Sequence, residues 1–413
     1  MKRLLLTLSR DRNDAYRYNL VCLCAGASRR LGHNMIRIIT FYSLIGLALA
    51  SCQESRPEAA TAQAAAVTHD SLHYARRFAI KHEKEYTILE IFGNKDNQNV
   101  TSTFILYPDK KPIYSIDAWY VKIPVKRVAS MSSVYSLMLM ALGEANSIAA
   151  IDNAEYYTDP FIQRQVSEGK IAELSKGPQI EVEKTLALKP DLLLTFGMGD
   201  PAADLDKKLL QAQVPVAISL DHLEETPLAR AEWIKFYACF FNKQRQADSI
   251  FSASEKKYRE LKALVKDETK KPTVLTEIKY GDTWYVPSGI SYVANLIADA
   301  GGDYFWKDDR KTGSTPLSFE TVYTRAKDCD VWINTYNLNS KKELLAYDAR
   351  YGLFNAYKKD RVYNNNKVQN AKGYSNYWET AMLQPEAVLA DLIAIFYPER
   401  MPSHVFTYYK KLE

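Results

Sequence analysis

From Lys126 onward, short apolar runs alternate with stretches of helical periodicity. RVASMS reads as a strand with a serine-rich exit, SSVYSLMLMALGE as a helix with a serine start, and SIAAID as a second strand. VEKTLALKPDLLLTF predicts a short helix, a Lys-Pro break and a strand at Leu192 to Thr195, whose unbroken apolar run suits burial on both faces. Val214 to Ser219 follows another helix, so the repeated βα order implies a parallel sheet. Pro227 to Val265 contains no glycine and no later proline. Asn242 divides it, and Lys243 to Val265 predicts a helix about 35 Å long at 1.5 Å per residue. PTVLTEIKY then opens a second βα series, continued by SYVANLIADAGG, FETVYTRAKDCDVWINTY and AYKKDRVYNN, with a closing helix from Glu379 to Phe396. Ahead of both series, Tyr86 to Phe92 and Thr101 to Tyr107 read as strands around the turn-rich GNKDNQN.

The two series share a local pattern. Glu183 starts a short helix that ends in Lys189-Pro190-Asp191 and enters LLLTF; Glu320 starts one that ends in Lys327-Asp328-Cys329-Asp330 and enters VWINT. A carboxylate at a helix N-terminus is held by unpaired N–H groups and the helix dipole, and is thereby presented to an incoming guanidinium.

The 413 residues exceed what one core organises, which implies two lobes. The predicted class is α/β: two Rossmann-like lobes with parallel sheets, joined by a long rigid helix, and a small β-rich N-terminal element. Residues 1–51 read as a signal region with a misassigned start, 52–67 as a lipidated tether and 68–120 as the small β element. Residues 121–226 form the N-lobe, 227–266 the connecting helices and 267–413 the C-lobe. The signal reading rests on Ile38 to Leu49, an apolar run well short of the roughly 20 residues a spanning helix needs, with Arg37 as its positive flank and Met35 as a candidate start. Leu49-Ala50-Ser51-Cys52 resembles the lipobox of bacterial lipoproteins, which makes Cys52 the lipidated first residue of a membrane-anchored protein.

Cleavage before Cys52 changes the electrostatic picture. The full chain carries a net charge of +5, but residues 1–51 hold eight of its 54 Lys/Arg and two of its 49 Asp/Glu, so the mature charge falls to about −1. Nucleic-acid binding has no support from that balance. Cys239 and Cys329 are isolated in core-like sequence and read as buried thiols.

KRVASMSSVYSLMLMALG, IEVEKTLALKPDLLLTF, a long connecting helix, LIADAGGDYF and LSFETVYTRAKDCDVWINT follow one another in an order that resembles the periplasmic iron-siderophore and cobalamin binding proteins of ABC importers. The resemblance covers about Lys126 to Pro398. It implies a monomeric periplasmic receptor with its ligand between two lobes, with an ABC permease and ATPase as partners, with no cofactor of its own and no catalysis. It also implies that Glu183 and Glu320 are the contacts with permease arginines. The expected ligand is a metal chelate, a ferric siderophore first, with cobalamin or haem as alternatives; haem carriers of the family can ligate iron through tyrosine.

In parallel α/β lobes, ligands meet the loops beyond the carboxyl ends of strands. That rule nominates Ser130, Tyr156, Tyr157, Gly197 to Asp200, Trp284, Tyr285, Trp306, Tyr374 and Trp378, a set rich in flat faces with polar tips. Lys279, Arg310 and Lys372 lie near these segments as candidates for neutralising an anionic chelate. Direct metal ligation has little support, because His73, His82, His222 and His404 are widely scattered. A chelatase-like enzyme is the alternative of another class, with GMGD as its only phosphate-loop candidate, and a lone Gly-x-Gly is a weak signal.

Overall fold

A computed structural model describes residues 68–69, 72–96, 99–113, 116–176, 179–204 and 206–413. Cys52, the signal region and the tether lie outside the described residues. Among the described residues no helix is long and apolar enough to cross a membrane.

The N-lobe is built on a five-stranded, wholly parallel sheet in the order Val216–Ser219, Leu192–Phe196, Val128–Ser130, Ile148–Ile151, Ala172–Glu173. Leu192, Leu193 and Leu194 are all buried, as a central strand covered on both faces requires. The C-lobe has a smaller parallel sheet, Asp303–Tyr304, Thr273–Thr276, Val331–Ile333, to which Val362 adds a parallel bridge at Trp332. Thr283–Pro287 is a strand outside the predicted βα series. It pairs antiparallel with Lys279–Tyr280 and Ser314–Leu317 in a separate three-stranded sheet.

The N-terminal element is a five-stranded sheet of Thr68–His69, Phe78–His82, Thr87–Asn94, Asn99–Tyr107 and Trp119–Lys122, antiparallel except for the last pair. Its inner face joins the N-lobe in one hydrophobic core. The helix Ile234–Cys239 lies in that core and is apolar on nearly every side, so it packs on both layers at once. Trp233 and Phe236 meet Phe78 at centroid distances of 4.8 and 5.7 Å, Phe240 meets Phe104 at 5.6 Å, and Tyr237 meets Tyr135 of the N-lobe at 5.6 Å.

The connecting segment is three helices, Pro227–Glu232, Ile234–Cys239 and Gln244–Leu264. Asn242, at φ 56°, makes the left-handed break before the last of them. The buried positions Ala247, Phe251, Ser254 and Tyr258 recur every three or four residues, giving Gln244–Leu264 a single inward stripe. Ala247 and Phe251 belong to the N-lobe core and Tyr258 to the C-lobe core, so one stripe ties both lobes to the same rod. The predicted closing helix is divided into Tyr377–Thr380 and Pro385–Phe396. Pro385 has no N–H to continue a helix and disfavours the α region at Gln384, which sits at φ −121°, ψ 54°.

Two carboxylates at the head of the connecting segment hold the N-terminal strand entry. Buried Glu232 accepts the backbone N–H groups of His73, Tyr74 and Ala75 at 2.8–3.1 Å and pairs with Lys235 at 3.2 Å. Glu224 accepts the N–H groups of Arg76 and Arg77 at 2.9 and 3.1 Å. Glu232→Ala removes the acceptor of three N–H groups, that of Ala75 buried, and leaves Lys235 with Asp248 alone. It is expected to cost about 3 kcal/mol in chemical denaturation and to expose residues 72–77 to limited proteolysis; wild-type resistance in that segment would contradict this strap.

Candidate functional site

In a βαβ unit the helix runs antiparallel to the strand it enters, so its N-terminus lies at the carboxyl edge of the sheet. Glu183, in helix Val182–Leu188, and Glu320, in helix Phe319–Ala326, therefore both stand at the carboxyl edge of their own lobe's sheet. Both side chains are well exposed, 76% and 73%. Each has a cation of its own chain beside it: Lys208 Nζ lies 2.6 Å from Glu183 and an Arg350 N–H donates to Glu320 at 3.1 Å. The Lys208 hydrogen bond, with help from the Glu183 backbone N–H, lowers the Glu183 pKa. Arg350 is fixed by Asp348 and lies 3.9 Å over the Phe319 ring.

The carboxyl edges of the two lobes touch. The N-lobe loop after Ile148–Ile151 meets the C-lobe segment 370–379, and the contact is made by specific polar bonds. Asn370 Nδ2 donates to the carbonyls of Glu155 and Tyr157 at 2.8 and 3.1 Å, and Lys372 pairs with Glu155 at 3.2 Å. Glu379 accepts the Thr158 backbone N–H and, at 3.0 Å, the Thr158 hydroxyl. Tyr156 and Tyr374 meet edge to face at 5.1 Å across this seam. Burial, then the negative charge of Asp152 and Glu155, raises the Tyr156 pKa; burial and then Tyr156 raise that of Tyr374. Trp378, 65% exposed, lies on the same segment.

The other nominated residues are placed differently. Trp284 is fully buried in the C-lobe core: it stacks on Trp332 at 5.8 Å and its indole N–H donates to the Thr276 carbonyl at 3.2 Å. The rule of carboxyl-edge loops does not reach it, because its strand belongs to the antiparallel sheet. Tyr285 follows on the opposite face of that strand and is half-buried. Ser130 and Tyr157 are also fully buried, both hydrogen-bonded to the Ser136 hydroxyl at 2.9 Å. Trp306 is nearly buried and, with Leu317, Glu320, Thr321, Thr324 and Arg325, lines a groove of about 640 Å³ along the Glu320 helix. Of the nominated aromatics, the structure brings Tyr156 and Tyr374 together, with Trp378 nearby in the chain.

Two of the three candidate cations are already engaged, Lys372 by Glu155 and Lys279 by Asp348 at 2.9 Å, while Arg310 is exposed. The GMGD loop is likewise self-satisfied. The Asp204 carboxylate accepts the N–H groups of Met198, Gly199 and Asp200 at 2.8–3.0 Å, where a phosphate would have to sit. The N-terminal sheet closes over it, since a Cβ on Gly93 would come within 2.4 Å of the Gly199 carbonyl oxygen. Thr158, Asn370 and Glu379 had no signal in the sequence; the Thr158–Glu379 contact spans 221 positions. Among the described residues no group of three or more His, Cys, Asp or Glu is placed to hold a metal ion.

Two parallel-sheet lobes on a shared helix, meeting at their carboxyl edges, define a two-lobe α/β binding protein. The chain belongs to the periplasmic binding protein family, whose model matches residues 128–367. A protein named an uncharacterized lipoprotein, from Methanocaldococcus jannaschii, is 29% identical over 294 residues, 68% of this chain and 67% of its own. An ABC transporter substrate-binding protein from Listeria monocytogenes superposes with a TM-score of 0.51 at 19% identity, covering 66% of this chain and 99% of the other. A TroA-like periplasmic binding protein, FepB, from Veillonella parvula gives 0.51 at 17% identity over 71% and 96%. The fold is thus that of substrate-binding proteins of ABC transporters, and the family matched is one of binding proteins, which favours binding over the chelatase alternative.

These placements separate core from rim. Trp284→Ala is expected to cost about 3–5 kcal/mol in denaturant titration, as a large core truncation does, whereas Trp378→Ala stays within about 0.5 kcal/mol. Equal stability losses would refute the assignment of Trp284 to the core and Trp378 to the rim.

Proposed function

We propose that the protein is a lipid-anchored receptor that captures a metal chelate between its lobes and presents it to the permease of an ABC importer. The observation that carries this reading is the pair of exposed carboxylates, Glu183 and Glu320, each at the carboxyl edge of its own sheet. A permease arginine can replace the cation now beside each one, exchanging a solvent-exposed ion pair of small worth for a two-pronged bond at a drier interface.

Anchoring through Cys52 is supported by the lipobox and by the lipoprotein name of the Methanocaldococcus relative. A chelate is favoured over a bare ion by the Tyr156–Tyr374 pair and the exposed Trp378, which offer ring faces and hydroxyl tips; the donors to the metal would be the chelate's own. Among chelates a ferric siderophore comes first, with cobalamin or haem in the same role.

Glu183→Ala and Glu320→Ala should leave the quenching of tryptophan fluorescence by ferric siderophore, cyanocobalamin or haemin unchanged, while lowering uptake of the bound chelate more than about tenfold when combined, the loss of one to two kcal/mol-scale contacts. Undiminished uptake by the double variant would remove the docking assignment, and failure of all three probes to bind would remove the chelate reading.

A further inference from the structure

The seam between the lobes contains one group that neither capture nor docking accounts for. Glu379 belongs to the C-lobe, its side chain is buried, and it is committed to the N-lobe through the Thr158 N–H and hydroxyl. Thr158 lies two residues beyond Tyr156, and Asn370 of the same C-lobe segment holds the carbonyls on either side of Tyr156, those of Glu155 and Tyr157. We propose that Glu379 is a positioning residue that acts as a titratable latch: it clamps the Tyr156 loop to the C-lobe, and loss of its proton loosens the clamp. That the clamped loop forms a wall of the ligand cleft rests on the receptor reading above; the latch itself does not.

Among the described residues Glu379 makes no ion pair, and Arg230 bears on Tyr377 of the same helix. Asp159 is the N-lobe charge that bears on Glu379, and helix Ser133–Ala141, which packs against Tyr377–Thr380, carries no charged residue. Tyr374 and Tyr377 lie on the Glu379 segment itself, Tyr408 packs on Tyr377 at 5.6 Å, and Lys372 is held by Glu155. Burial, aided by Asp159, outweighs the hydrogen bonds from Thr158 and Asp159 and pushes the Glu379 carboxyl up from an ordinary 4.5 to about 7. A carboxyl freed into solvent by opening of the seam returns toward its ordinary value. The closed seam therefore holds the proton more tightly than the open one. Its contribution to closure is fully present below about pH 4.5 and is lost as pH rises through about 7.

Hydrogen–deuterium exchange on the full chain tests this without any ligand. After correction for intrinsic rates, protection of the peptide spanning 153–160 should fall about tenfold or more between about pH 5 and about pH 8, while a core peptide spanning 192–196 keeps its protection. Glu379→Gln retains hydrogen-bonding capacity but cannot ionise, and should abolish the pH dependence. Glu379→Ala should lower protection at both pH values. A flat wild-type profile, or the same fall in Glu379→Gln, overturns the latch and leaves the receptor reading standing; failure of every chelate probe to bind, with the pH-dependent exchange intact, overturns the receptor reading and leaves the latch.

Discussion

The architecture turns on the near-complete burial of helix Ile234–Cys239 and the aromatic residues flanking it. An isolated six-residue helix has little stability in water, so its persistence depends on packing rather than propensity. Trp233, Phe236, Tyr237 and Phe240 supply that packing by projecting to different sides, toward Phe78 and Phe104 of the N-terminal sheet and toward Tyr135 of the N-lobe. Such aromatic pairs contribute about 0.5–1.5 kcal/mol each beyond their burial. Two layers that would otherwise be separate are thereby made one core, and the helices that follow leave this core in a fixed direction.

That direction matters because Gln244–Leu264 carries the buried stripe from one lobe into the other. With Phe251 in one core and Tyr258 in the next, the lobes cannot turn about the rod without removing apolar surface from its contacts. Ser254 donates to Glu386 at 2.6 Å and Tyr258 to Asp299 at 2.8 Å, which fixes the C-lobe's rotation on the same stripe. The carboxyl edges are consequently brought face to face, and the seam of Thr158, Asn370 and Glu379 provides a second connection remote in sequence from the first. Lobes joined at two places suit small relative movements rather than wide closure.

Polar groups at the carboxyl edges are largely committed to the chain itself. Asp204 fills the concavity of the GMGD amides, Asp348 holds Lys279 and Arg350, and Ser136 gathers the Ser130 and Tyr157 hydroxyls. Groups satisfied in this way shape the loops and contribute little ionic attraction to a ligand. Under the proposed receptor reading, recognition falls to ring faces at the rim and to the exposed carboxylates Glu183 and Glu320.

Although local pattern missed the helix Pro160–Ser167 and the edge strand Ala172–Glu173, it was enough for four of the five N-lobe sheet strands, the break at Asn242, the long connecting helix and the helix-start positions of Glu183 and Glu320. Each of these depends on neighbours within a few residues: periodicity, a proline, a left-handed turn. The split of the closing helix at Pro385 was open to the same reasoning. The strand Thr283–Pro287 was not, because it is set by its antiparallel partners Lys279–Tyr280 and Ser314–Leu317, the latter some thirty residues on, and the nomination of Trp284 for the rim fails with it. The Thr158–Glu379 clamp was equally out of reach: its energetics arise from desolvation between segments 221 residues apart, which only the folded arrangement of the two lobes creates.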